Sequence, residues 1–249
     1  MKEWITGRNP VVEVLHARRR QVFRLLVAEG NQPDPRLQEV IHAVQAMRLP
    51  VEKVQRNRLN SISENHQGLA LEVSGYPYSD LATMMELAEK RREAPLFLIL
   101  DTLQNPQNFG TLLRSAEAFG VHGVMIPFRH TVDVTPAVVT ASAGASEHLL
   151  VGMANLSQTI DQLKSDGVWV LGLEGGEGSV AVESVKMTGP LAVVVGSEGE
   201  GMRALTRKGC DQLIRLGMSG EIESLNAAVA GSIALYLAFQ SRHPELGKA

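Results

Sequence analysis

The chain has one cysteine, Cys210, in 249 residues. A lone thiol cannot close an intrachain disulfide, which favours a reducing compartment. With only seven scattered histidines beside it, no zinc set is expected either. Aromatics make up 4% of the chain, too few for a platform that stacks many bases. No apolar run reaches membrane-spanning length, and MKEWITGRNPVVEV lacks the uninterrupted apolar core of a signal peptide. A cytoplasmic protein without a membrane partner is the expectation. Walker A and HExxH are missing, as are internal repeats and low-complexity tracts.

Positive charge is not in excess: the net charge is −3. Its distribution says more. Residues 1–94 hold 14 Lys/Arg against 12 Asp/Glu, and residues 95–249 hold 10 against 15. The first 24 residues carry six basic groups and two acidic ones. Phosphate contact, if any, is expected to start there; the bland alternative is a solvated helix face bearing Arg18, Arg19 and Arg20. An apolar fraction of 44% supplies a sizeable core.

Along the chain, strand and helix patterns alternate, which indicates an α/β protein. PVVEVLHARRR (10–20) reads as a helix, VFRLLVAEG (22–30) as a strand and PRLQEVIHAVQAMRL (35–49) as a helix. VEKVQ (51–55) and LALEVSGY (69–76) read as strands. This first α/β unit is expected over 1–75, a helical or charged linker over 76–94 and a second unit over 95–249. HisGlnGly at 66–68 combines side-chain donors with a glycine, or is a simple turn. The second unit opens on the buried strand LFLILD (96–101), followed by the helix NFGTLLRSAEAFG. A helix rich in small residues is expected over 133–149, packed close to another backbone.

The stretch from Leu191 to Gly231 organises the rest. LAVVVGSEGEG is a strand ending in a glycine-rich acidic loop, LIRLGMSGE a second strand ending in a loop, and ESLNAAVAGSIALYLAF a long apolar helix. Two strand ends and a helix start therefore meet, and ligands of open parallel sheets bind at such carboxyl ends. Glycines 196, 199 and 201 do not make GxGxxG, and two carboxylates there repel a pyrophosphate. A cofactor with a cationic centre and an adenosine suits this loop better. Asn108 lies near a strand end. Arg114, six residues on, offers a guanidinium for a phosphate or developing oxyanion, or forms a structural salt bridge with Glu117. Ser224 and Asn226 are candidates for the site or for a helix cap, and Glu223 and Ser224 lie at the expected entrance to the last helix.

DTLQNPQNFGTLLRSAEAFG, LAVVVGSEGEGM and IRLGMSGEIESLNAAVA resemble, in order, the three motifs of the SpoU-type RNA 2′-O-ribose methyltransferases of the SPOUT superfamily. GRNPVVEVL and HQGLALEV resemble the small substrate-binding domain that precedes the catalytic domain in one subgroup. That subgroup methylates a guanosine ribose in 23S ribosomal RNA. The resemblance implies an α/β fold with a SPOUT-type parallel sheet, a C-terminal trefoil knot and a ribosomal-protein-like first domain. It also implies a homodimer with the site near its interface, and S-adenosylmethionine as cofactor. Gly196, Leu216, Met218 and Leu225 would line the cofactor pocket. Asn108, Arg114, Glu198, Ser224 and Asn226 would be catalytic, with Arg114 easing removal of the hydroxyl proton. Three positions depart from the pattern: NAAVA after Leu225, Gly217 where proline is common, and Phe109 where Leu or Ile is usual. The competing readings are a transfer-RNA ribose methyltransferase, a non-catalytic RNA-binding ribosome-assembly factor, and a nucleotide-binding oxidoreductase, the last disfavoured by the missing fingerprint.

Overall fold

A computed structural model describes residues 2–32, 34–222 and 224–246. The chain divides into two compact units, Met1–Pro77 with Asp133–His148, and Tyr78–Val132 with Leu149–Ala249. These units are drawn differently from the expected 1–75, helical or charged linker 76–94, and 95–249 at two places. Residues 133–148 belong with the first unit. The 76–94 stretch carries a helix, one of the two forms expected of it, and its Met84 is fully buried in the second unit.

The first unit runs β1 (Lys2–Thr6), α1 (Arg8–Ala17), β2 (Val22–Ala28), α2 (Pro35–Ala46), β3 (Val51–Val54), α3 (Arg56–Asn60) and β4 (Leu69–Ser74). Its sheet has the order β1-β4-β2-β3, antiparallel except for β2 with β3. β1 went unread in the sequence, because KEWIT is short and half polar. Residues 66–68 form a turn in which Gly68 N–H donates to Nδ1 of buried His66 at 2.8 Å and Gln67 accepts from Arg8 N–H at 2.9 Å. The second unit begins with α4 (Leu81–Arg91), β5 (Leu96–Leu100), α5 (Pro106–Ala118) and β6 (Gly123–Pro127). Next comes α6 (Pro136–Ala141), which belongs to the first unit.

Two physical facts tie 133–148 to the first unit. Arg20 is buried and donates twice to Glu147, Nε and one terminal nitrogen each at 2.9 Å, and once to Glu3 at 2.7 Å. A buried guanidinium needs such partners, so Arg20 is neither a solvated nor a phosphate-binding residue. Gly144 also sits so close to α1 that an added Cβ would lie 2.6 Å from Glu13 Cβ. The close packing expected of the small residues is present, but the single helix over 133–149 is not. Ala143 and Gly144 adopt φ of 54° and 91°, which ends α6.

The second unit continues with β7 (Val151–Ala154), α7 (Leu156–Ser165), β8 (Trp169–Leu173), β9 (Ser179–Ala181), β10 (Leu191–Val195), α8 (Ala204–Gly209), β11 (Gln212–Arg215) and α9 (Ala227–Arg242). Its seven-stranded sheet has the order β7-β6-β5-β10-β8-β11-β9 and is parallel throughout. A parallel sheet covered on both faces reads as continuous apolar runs, and LFLIL and LAVVV are fully buried. β7 and β9 escaped notice because they are three or four residues long. Helix starts follow side-chain chemistry. Asn105 accepts from Gln107 N–H at 2.8 Å with Pro106 in the first turn of α5, and Asn155 and Asp80 cap α7 and α4 likewise. Gly231 lets α9 approach α5 and β10: a Cβ there would fall 2.6 Å from Leu112 and 3.1 Å from Val195.

Candidate active site

The carboxyl ends of β10, β8 and β11 open into one cavity of about 640 Å³. Its wall is mostly apolar, from Leu173, Val195, Ile214, Leu216, Met218 and Leu225. Gly196 begins the loop after β10. Ser197 and Gly201 exchange backbone hydrogen bonds at 3.0 and 3.1 Å, and Gly199 and Gly201 between and at the end of them take φ of 90° and 68°. This folds the loop back on itself, so that Gly196 has no room for a side chain.

Glu198 leaves that loop to join three polar groups. Its Oε1 accepts from Asn108 Nδ2 at 2.9 Å, from Ala227 N–H at 3.3 Å and from Asn226 Nδ2. Asn226 Nδ2 also reaches Asn108 Oδ1 at 3.2 Å. The Asn226 Oδ1 meanwhile caps α9, accepting from Ala228 and Val229 N–H at 2.9 and 3.2 Å. A carboxylate at a helix N-terminus is favoured by the helix dipole. One side chain from each of α5, the β10 loop and the α9 start is thus fixed in a single cluster.

The sequence-derived residues are distributed as follows. Gly196, Leu216, Met218 and Leu225 line the cavity together with Glu198, Ser224 and Asn226. Asn108 lines a second cavity, of about 450 Å³, that shares Ser197 and Glu198 with the first. Asn226, not Ser224, is the cap of α9, and the helix starts at Ala227. Glu223 lies outside the described residues. Arg114 lines neither cavity. It is exposed on α5 and makes no ion pair among the described residues, so the Glu117 salt bridge is not formed.

Two carboxylates of this region were missed. Glu174, just past β8, lines the large cavity and accepts from Met202 N–H at 3.2 Å and Arg207 Nε at 2.6 Å. Asp101, just past β5, is fully buried and holds Arg203 through its N–H at 2.9 Å and its Nε at 2.7 Å. The signal for both was the same, an acidic residue directly after an apolar strand. Cys210 takes no part: burial pushes its thiol up to about 12, so it stays protonated.

A wholly parallel sheet with an apolar cleft at its carboxyl edge and an amide–carboxylate cluster at a helix start defines an α/β protein with a ligand site at the strand ends. Comparison with known proteins narrows the class. Residues 95–236 match the SpoU rRNA Methylase family, and residues 4–79 match the RNA 2′-O ribose methyltransferase substrate binding domain. The chain is 39% identical over 234 residues to the 23S rRNA (guanosine-2′-O-)-methyltransferase RlmB of Coxiella burnetii, covering 93% of each. It is 38% identical over 246 residues to the putative TrmH family tRNA/rRNA methyltransferase YacO of Bacillus subtilis, covering 97% of each. The crystal structure of the SpoU methyltransferase AviRb from Streptomyces viridochromogenes superposes with a TM-score of 0.82 at 23% identity, over 98% of this chain and 91% of that one, a likeness of fold. The chain belongs to the SpoU rRNA methylase family and is an RNA 2′-O-methyltransferase.

Proposed function

We propose that the protein methylates the ribose 2′-hydroxyl of a guanosine in 23S ribosomal RNA, with S-adenosylmethionine as methyl donor. The observation that carries this reading is the Asn108–Glu198–Asn226 cluster, which stands between the two cavities. The large cavity fits the donor. It is apolar, carries the carboxylates Glu174 and Glu198 for a cationic centre, and offers backbone groups at a glycine loop where a Cβ on Gly196 would strike backbone atoms. When bound, S-adenosylmethionine supplies a methyl carbon on a sulfonium, an electrophile for the ribose oxygen.

The residues of this chain then have separate tasks. Gly196, Leu216, Met218 and Leu225 hold the donor, largely through backbone and apolar contact. Glu198 keeps Asn108 and Asn226 oriented, and Ser224 and Asn226 position the sugar. Arg114 stabilises the negative charge on the oxygen as its proton passes to solvent water; an arginine is a weak base, so charge stabilisation is its main contribution. Because Arg114 lines neither cavity of its own chain, a second copy delivers it. Val229, Ile233 and Tyr236 support such a dimer: they are 46%, 38% and 44% exposed at helical spacing on α9, the helix that packs along α5. The chain crossing around β10 and β11 is read as the trefoil knot. The first unit is read as the part that grips the RNA, and only RNA carries the 2′-hydroxyl.

Labelled S-adenosylmethionine incubated with 23S rRNA and with tRNA tests the substrate, the modified ribose then being mapped. A guanosine in the 23S rRNA is the expected target, and label on tRNA alone would refute it. Arg114→Ala should fold and bind the donor normally yet transfer no methyl. Mixing it with Asn226→Ala protein should restore part of the activity in mixed dimers, and no restoration would count against delivery in trans.

A further inference from the structure

The second cavity, of about 450 Å³, adjoins the one assigned to the donor and shares Ser197 and Glu198 with it. Its wall is made by the segment after β5, the β10 loop, and His130 of the loop after β6. Three features hold it open. Asp101 fixes Arg203 at its base. Thr102, a β-branched residue, is kept at φ 61°, in the left-handed region that such residues rarely enter, and His130 takes φ 62°. Thr131 Oγ1 and Val132 N–H both donate to Leu103 O, at 2.9 and 3.0 Å, which ties the loop after β6 to the cavity wall.

That loop carries Phe128, whose ring is 68% exposed, followed by exposed Arg129 and His130. An exposed phenylalanine followed directly by an exposed arginine is suited to an unpaired nucleotide, which offers a ring face and a phosphate together. The cavity beside it suits the rest of such a chain. Glu198 and Glu200 both line it and repel phosphate, so a base and its sugar are what enter. Gln104 and Glu200 supply acceptors for a base's N–H groups, and Ser197 and Glu198 form the side shared with the donor cavity.

We propose that this cavity receives the acceptor nucleotide flipped out of its RNA, and that Phe128 stacks the neighbouring base. The proposal rests on the ribose-methylation reading above. Specificity for single-stranded RNA then lies in the second unit itself, through an aromatic on the loop that brings His130 to the cavity wall.

The test uses the full chain. Phe128→Trp places a reporter on that loop, its emission taken as the difference from wild type because Trp4 and Trp169 also fluoresce. A short single-stranded RNA should quench it, and the matching duplex should not. Phe128→Ala should lower methyl transfer to rRNA roughly 5- to 150-fold, the range of one lost base stack, through KM more than kcat. Gln104→Trp, which fills the cavity, should reduce transfer with S-adenosylmethionine affinity unchanged. Unquenched emission, or wild-type transfer by both Phe128→Ala and Gln104→Trp, would overturn the subsite. Quenching by RNA in a protein that methylates no RNA would instead refute ribose methylation, and the cavity's acceptor role with it, and leave the Phe128 base stack standing.

Discussion

Replacing Gly196 by alanine places a methyl group 2.3 Å from the Gly201 carbonyl carbon and 2.5 Å from Met202 N. Both are backbone atoms, so no side chain can turn aside. Either the β10 strand end or the Ser197–Gly201 turn must move. If the turn gives way, the two backbone hydrogen bonds between Ser197 and Gly201 go with it. At about 0.5–1.5 kcal/mol each, that is a cost of about 1–3 kcal/mol. If the strand end gives way instead, overpacking costs about 1–3 kcal/mol as well. For a unit of this size the melting temperature falls about 2–4 °C per kcal/mol, so about 2–12 °C is expected. Glu198 rides on the same turn, and donor affinity falls with it, tenfold for every 1.4 kcal/mol or so. Gly175→Ala is the control: Gly175 lines the same cavity, but a Cβ there meets nothing within 4 Å. Scanning calorimetry and titration with S-adenosylmethionine read both variants. Equal melting temperatures and equal affinities for the two would show that the steric argument is wrong.

Asn226→Ala removes the α9 cap and one arm of the Glu198 cluster together. About 1 kcal/mol of stability should go with the cap, and Asn226→Ser, whose hydroxyl can cap the helix, should recover most of that stability in a thermal melt without recovering methyl transfer, since it has no amide to donate to Glu198. Two buried histidines make the protein acid-sensitive. Leu96 N–H donates to His122 Nδ1 at 3.0 Å and Gly68 N–H to His66 Nδ1 at 2.8 Å, so each ring carries its proton on Nε2, facing Glu93 and Asn60. Burial lowers both below the usual 6.5. The unfolded chain therefore takes up protons first, and stability declines as the pH drops from about 6.5 towards the folded values. Denaturant unfolding at pH 7.5 and pH 5.5 should show a decline that His122→Gln reduces; an unchanged difference would exclude His122 as a source.

Much of this was legible in the residue pattern. Strand runs such as LFLIL and LAVVV and the placement of Pro106 in the first turn of α5 speak through hydropathy and local backbone preference, which act over a few residues. The strands missed, at 2–6, 151–154 and 179–181, are short edge or near-edge pieces whose order comes from a partner strand. The same limit applied to 133–149, where small residues indicated close packing, but two left-handed residues broke the helix.

The sequence by itself determined the α/β class, the two strand-end loops and the polar residues around them, because alternation, glycine placement and capping are written in neighbouring positions. Only the tertiary structure decided that Glu198 gathers Asn108 and Asn226 across 90 and 28 positions of chain. It alone assigned Glu147 to Arg20, and left Arg114 outside both cavities of its own chain. Those outcomes depend on how distant elements meet, and a buried charge or a shared hydrogen bond has no signature until its partner is beside it.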